Sequence, residues 1–158
     1  SSSAASDVYK RQEYDREGFV FYTNYLSEKG KSISENPKVC LSFFWPTSER
    51  QVIIKGIARK TSDEESEEYF RSRPRGSQLG AWASAQSSII PSREFLKKRL
   101  EKLEKEYEGK EIPKPPYWGG YKVFPLEFEY WQGRPNRLHD RIYYSKENDV
   151  WKMDRLAP

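Results

Sequence analysis

Val39-Cys40-Leu41-Ser42-Phe43-Phe44-Trp45 sets Val39, Leu41 and Phe43 on one side of the chain and Cys40, Ser42 and Phe44 on the other. A period of two is that of a strand, and the apolar set predicts burial on at least one face. Pro46-Thr47-Ser48 turns the chain, and Gln51 to Arg59 returns as the partner strand of a hairpin. Upstream, Phe19-Val20-Phe21-Tyr22-Thr23 is β-branched and aromatic, a second strand. Between these strands, Ser27 to Glu35 has room for one or two helical turns. Asn36-Pro37 ends them, because the residue before proline avoids the α region. Downstream, Tyr121 to Trp131 alternates again, with Leu126, Phe128 and Tyr130 opposite Glu127, Glu129 and Trp131. Arg141 to Tyr144 and Val150 to Arg155 form a closing hairpin turned at Glu147-Asn148-Asp149.

Three helices lie between the strands. Ser62-Asp63-Glu64-Glu65 is a capping box, and its acids face the positive end of the helix dipole. That helix runs to about Ser72 and stops before Pro74. A second covers Ser77 to Ser87. In the third, Leu96, Leu100, Leu103 and Tyr107 recur at helical spacing, Pro91-Ser92 opens it and Gly109 closes it. Its remaining faces carry mixed Lys and Glu, as on a solvated surface helix. Pro113 to Pro116 is a stiff connector. Strand pairs with inserted helices give an α+β fold built on an antiparallel sheet or small barrel.

Composition narrows the class. Of 158 residues, 33% are charged, yet five Trp, eleven Tyr and eight Phe supply the rings that a disordered chain lacks. No run approaches the roughly 18 apolar residues of a spanning helix, and no signal pattern opens the chain. A single cysteine, Cys40, and a single histidine allow neither an internal disulfide nor a structural zinc site, so a cytoplasmic, reducing setting is expected. The net charge of +4 is mild and interleaved with acids, which argues against nucleic acid as a partner.

Four clusters carry possible chemistry. Arg71-Ser72-Arg73-Pro74-Arg75-Gly76-Ser77 places three guanidiniums and two hydroxyls where one helix breaks and another begins. Such forks match phosphate oxygens; a solvated basic helix end is the plain alternative. Trp131-Gln132-Gly133 precedes Arg137-Leu138-His139-Asp140-Arg141, and Trp beside Arg favours a planar ligand, although a lone histidine is often structural. Gln86-Ser87-Ser88 and the set Tyr22, Thr23 and Lys29 are polar ends of elements, unspecific by themselves. No dinucleotide fingerprint, P-loop, nucleophile elbow or metal-ligand cluster is present, so an enzyme of this sequence would draw its hard chemistry from a cofactor.

Taken in order, several stretches resemble the pyridoxine/pyridoxamine 5′-phosphate oxidase family. They are Phe21-Tyr22-Thr23-Asn24, Glu49-Arg50-Gln51-Val52, Tyr69-Phe70-Arg71-Ser72-Arg73-Pro74, Ser77-Gln78-Leu79-Gly80-Ala81, Gln86-Ser87-Ser88 and Trp118-Gly119-Gly120. Trp131-Gln132-Gly133, Arg137-Leu138-His139-Asp140-Arg141 and Asp154-Arg155-Leu156-Ala157-Pro158 complete them. The resemblance covers about Gly18 to Pro158 and implies a split β-barrel flavoprotein that works as a homodimer with FMN at the subunit interface. Tyr22, Thr23, Lys29, Gln51, Gln86, Ser87, Trp131 and Arg141 would contact FMN, some of them from the partner subunit. Tyr69, Arg73 and Ser77 would hold the substrate phosphate. Arg137, Leu138 and His139 would bind the substrate, with Arg137 and His139 over its pyridine ring as the catalytic pair. The implied reaction oxidises the C4′ alcohol or amine of a phosphorylated B6 vitamer by hydride transfer to flavin. Dioxygen then reoxidises the flavin and yields hydrogen peroxide. A non-catalytic split barrel holding FMN or pyridoxal phosphate is the alternative.

The sequence departs from the family pattern in two places. Residues 1–12, a Ser/Ala-rich run, read as a disordered or foreign leader ahead of one FMN-binding domain over residues 13–158. An Arg-containing family segment is expected at Asp7 to Gln12, where Asp-Val-Tyr-Lys-Arg-Gln does not match it, so the chain reads as truncated upstream. Glu28 also stands where a basic residue commonly precedes the matched Lys29.

Overall fold

A computed structural model of the chain describes residues 13–158. The expected leader and the segment sought at Asp7 to Gln12 lie outside the described residues. Among the described residues, seven strands form one sheet: β1 (Glu13–Tyr14), β2 (Phe19–Asn24), β3 (Lys38–Trp45), β4 (Arg50–Lys60), β5 (Trp118–Gln132), β6 (Asp140–Glu147) and β7 (Val150–Arg155). The hydrogen-bonded order is β1-β2-β5-β4-β3, with β6 also on β5 and β7 on β6. At 15 residues, β5 is long enough to serve three neighbours. Four helices complete the α+β fold: α1 (Glu28–Glu35), α2 (Asp63–Ser72), α3 (Arg75–Ala83) and α4 (Arg93–Glu106). Among the described residues, no helix is long and apolar enough to cross a membrane.

The chain divides into two compact units. The first holds the described residues up to Val20, with Asn36–Arg59 and Lys122–Pro158. The expected hairpin forms here, β3 pairing antiparallel with β4 from Trp45↔Arg50 to Lys38↔Ile57. Glu49 takes the left-handed conformation that closes the turn (φ 49°). One expectation fails. No residue of β3 is buried: Val39, Leu41 and Phe43 are half-covered, and Phe44 and Trp45 are exposed. Alternation assigns residues to a face, but β3 ends the strand order, and depth of cover depends on what packs there. The β6–β7 hairpin turns where expected, with Asn148 and Asp149 both left-handed (φ 49° and 64°), the pair of conformations a two-residue hairpin turn needs.

Val20, Ile54, Ala58 and Val123 are the buried apolar side chains of this unit. Lys122 Nζ reaches both Asp15 and Glu17 at 2.7 Å, and Asp15 also accepts the backbone N–H groups of Glu17 and Gly18. The Lys122 hydrogen bond is the main reason the Asp15 carboxyl is held below the usual range. At Gly56 a Cβ would run into the Phe124 carbonyl on the neighbouring strand. Gly56→Ala is therefore expected to cost about 2 kcal/mol or more, read as a lowered midpoint in urea unfolding.

The second unit comprises Phe21–Glu35 and Lys60–Tyr121. Its core is Phe70, Leu79, Ile112 and Trp118, with Leu100, Leu103 and Tyr107 of the α4 stripe packed against it. Ser62 caps α2 as its sequence predicts, its Oγ accepting the Glu65 N–H at 3.1 Å. Ser62→Ala should lower stability by about 1 kcal/mol; an unchanged melting temperature would show that the cap contributes nothing. Ser92 caps α4 in the same way. The second predicted helix is displaced. It begins at Arg75, because the Ser77 and Gln78 N–H groups both turn back to the Pro74 carbonyl. It ends at Ala83 rather than Ser87, since Ser84 is extended and Gln86-Ser87 is a turn with Ser87 left-handed (φ 70°). Strand β5 starts three residues before the expected Tyr121, so Trp118-Gly119-Gly120 is buried strand.

Candidate functional site

The predicted site residues fall into two groups, one per unit. In the second unit, the end of β2 is locked by buried polar groups. Ser27 Oγ donates to the Asn24 carbonyl at 2.6 Å and accepts the Gly30 N–H, which fixes the start of α1 and with it Lys29. The Lys29 ammonium lies 5.8 Å from the centre of the Phe21 ring. Gln86 Oε1 accepts from the Thr23 hydroxyl (3.3 Å) and the Asn24 N–H (3.2 Å), so the structure brings Thr23 and Gln86 together. Gln86 is exposed as a residue and stands next to Ser87, whose backbone is left-handed (φ 70°).

Tyr69 and Arg73 both lie beside one set of parallel rings. Tyr22 and Tyr69 stack at 3.7 Å with planes 8° apart, and Trp118 lies parallel to both. The Arg73 guanidinium sits 4.8 Å over the Trp118 ring. Among the described residues, its Nη1 is buried with no hydrogen-bond partner. Burial, the dominant influence, draws the Arg73 pKa down. Ser77 stands exposed in the first turn of α3. Trp118 enters the sequence only as part of the Trp118-Gly119-Gly120 motif; the available signal is a tryptophan followed by two glycines between the Pro113 to Pro116 connector and the strand expected from Tyr121.

A groove of about 700 Å³ in the same unit is lined by Phe70, Arg71, Arg75, Gln78, Lys110 and Lys114 among others, and by none of the residues expected to touch FMN or substrate. Its cations are already engaged. Arg75 donates to the Tyr107 and Lys110 carbonyls after α4, and Lys114 to the Trp118 carbonyl. It reads as a helix-end clamp.

In the first unit, the Trp131 and His139 rings are 4.8 Å apart. His139 Nδ1 accepts the Arg134 N–H at 3.2 Å, so the neutral imidazole carries its proton on Nε2. Asn136 and Arg137 are consecutive left-handed residues (φ 58° and 61°), with the Arg137 and Leu138 side chains exposed. Asp140 bridges Arg134 (2.7 Å) and Arg155 (2.9 Å), and the Arg134 bond is the main reason its carboxyl is held below the usual range. Arg141 donates to Glu129 at 2.7 Å and to the Ala157 carbonyl at 2.9 Å. A groove of about 430 Å³ includes Trp45, Arg50, Gln51, Tyr130, Trp131 and Arg155 in its lining. Aromatic walls, an amide and guanidiniums at that volume fit part of a planar, anionic ligand. Among the described residues, no group of three or more His, Cys, Asp or Glu side chains is placed to hold a metal ion.

Residues 2–107 match the family model described as pyridoxamine 5′-phosphate oxidase. Residues 118–158 match the one described as the pyridoxine 5′-phosphate oxidase C-terminal dimerisation region. A pyridoxine/pyridoxamine 5′-phosphate oxidase of Flavobacterium johnsoniae is 61% identical over 153 residues, covering 96% of this chain and 72% of the relative. That of Christiangramia forsetii is 60% identical over 147 residues, covering 93% and 69%. Among solved structures, PhzG from Burkholderia lata in complex with tetrahydrophenazine-1-carboxylic acid aligns with TM-score 0.85 at 29% identity, over 92% of this chain and 71% of that one. The α+β split-barrel fold and the matched family models put the chain in the class of FMN-dependent oxidases. The sequence matches then fix the family: the chain belongs to the pyridoxamine 5′-phosphate oxidases.

Proposed function

We infer that this chain, as a homodimer with FMN, oxidises pyridoxine 5′-phosphate and pyridoxamine 5′-phosphate to pyridoxal 5′-phosphate. The observation that carries the substrate assignment is Arg73, whose buried Nη1 lacks a partner within the described residues while its guanidinium lies 4.8 Å over the Trp118 ring. A desolvated cation of that kind is costly unless an anion completes it, and a substrate phosphate does so. Tyr69 beside it and Ser77 in the first turn of α3 would add hydroxyl donors.

The residues present fit FMN. Tyr22, Thr23, Lys29, Gln51, Gln86, Ser87, Trp131 and Arg141 would hold it, some of them from the partner subunit. Bound FMN supplies the two-electron acceptor, and dioxygen the terminal one, leaving as hydrogen peroxide. The protein's own part is orientation and charge. His139, protonated on Nε2 when neutral, would donate a hydrogen bond to the substrate rather than take its proton. Arg137, exposed on its strained turn, would place a fixed positive charge over the substrate ring. A cytoplasmic setting belongs to this reading, supported by the exposed free thiol of Cys40.

Adding pyridoxamine 5′-phosphate to the FMN-loaded protein should release hydrogen peroxide, ammonia and pyridoxal 5′-phosphate. Flavin and vitamer both bound, with no peroxide formed, would instead describe a non-catalytic binding module.

A further inference from the structure

We propose that Trp118 is a positioning residue for the substrate phosphate, acting through Arg73 and Tyr69; this rests on the phosphate assignment made above. Trp118 is 6% exposed and leads the buried start of β5. Its ring touches both groups assigned to the phosphate. The Arg73 guanidinium lies 4.8 Å over it, and the Tyr69 ring is parallel to it within 1° at 6.2 Å. Tyr22, at 5.4 Å and 9°, continues the stack, and Phe70 meets the indole edge-on from the core.

Arg73 follows the last residue of α2 in extended backbone, and two rings face its guanidinium, Phe70 of that helix at 5.8 Å and Trp118 at 4.8 Å, of which the nearer sets its side chain. The electron-rich indole offsets part of the guanidinium's lost hydration while leaving its N–H edge for an anion. Trp is the strongest partner for this contact; Phe offers a weaker face and Leu none.

The test is a double-mutant cycle on the FMN-loaded enzyme, with two readouts: KM for pyridoxamine 5′-phosphate, and the calorimetric Kd of pyridoxal 5′-phosphate without turnover. Trp118→Leu should raise both about tenfold and Trp118→Phe about threefold, with kcat within about twofold of the parent. In an Arg73→Ala background the same changes should add less than about twofold, because the group being positioned is gone. Equal effects of Trp118→Leu in both backgrounds would overturn the proposal, as would a Kd that does not move. If Trp118→Leu does not fold, Trp118→Phe with Arg73→Ala completes the cycle and decides it on the same criterion. Arg73→Ala without any effect on Kd overturns the phosphate assignment and this proposal with it. A raised Kd for Arg73→Ala together with an unmoved one for Trp118→Leu overturns the Trp118 role alone.

Discussion

Arg137→Ala should lower kcat/KM for pyridoxamine 5′-phosphate by about a hundredfold or more while shifting the FMN dissociation constant less than about threefold. The expectation rests on where Arg137 sits. Two consecutive non-glycine residues, Asn136 and Arg137, occupy left-handed backbone, an arrangement that costs on the order of 1–3 kcal/mol per residue. It holds the guanidinium exposed at a short 3₁₀ turn, Pro135–Arg137, closed by the Leu138 N–H on the Pro135 carbonyl. Among the described residues the side chain makes no compensating ion pair, unlike Arg134, Arg141 and Arg155. A strained, exposed cation is better explained by substrate than by stability. Steady-state kinetics set beside a flavin fluorescence titration separates the two effects. Equal losses in turnover and in flavin affinity would show that Arg137 serves the cofactor instead.

Arg73→Ala should act differently, raising KM by about 10- to 150-fold with kcat nearly unchanged. Loss of a charge-assisted hydrogen bond to phosphate is worth about 1.5–3 kcal/mol, and a bond made equally in ground and transition states appears in KM. Removing Arg73 also frees the face of Trp118, a core residue, so a modest loss of thermal stability should accompany the kinetic effect. An unchanged KM for the phosphorylated substrate would rule out the phosphate role.

Local signals in the sequence served the fold well. Ser62 and Ser92 cap the helices they were expected to cap, and Asn148-Asp149 turns the last hairpin. Signals that depend on distant partners were not legible. Ser87 adopts left-handed backbone without being glycine or asparagine. Its neighbour Gln86 is tied to Thr23 and Asn24, more than sixty residues away in sequence, so the predicted helix runs four residues too far. The strand expected from Tyr121 begins at Trp118, and at Gly120 the missing Cβ is what admits Thr61 against it. The period of β3 names its apolar face but not what covers it. Leu126, Tyr130, Val150 and Met153, exposed within residues 118–158, pose the same question for the region matched as a dimerisation segment.

For the site, composition and spacing identified clusters but not partners. The basic run at 71–77 was legible as a group, yet only the structure separates its three arginines. Arg73 rests on an indole with a free buried N–H, Arg75 clamps the end of α4, and Arg71 forms an exposed i,i+4 pair with Glu67.

Arg141 stands opposite Trp131 in the β5–β6 ladder, and its side chain and backbone together grip the end of the chain: Nη1 holds the Ala157 carbonyl and the main-chain oxygen receives the Leu156 N–H. The closing residues are thus wired into the strand pair that carries an aromatic wall of the first unit's groove. Losing Leu156 and Ala157 would not be a local change. It would unfasten a guanidinium that also holds Glu129, and so loosen the register around Trp131 from outside the strand pair.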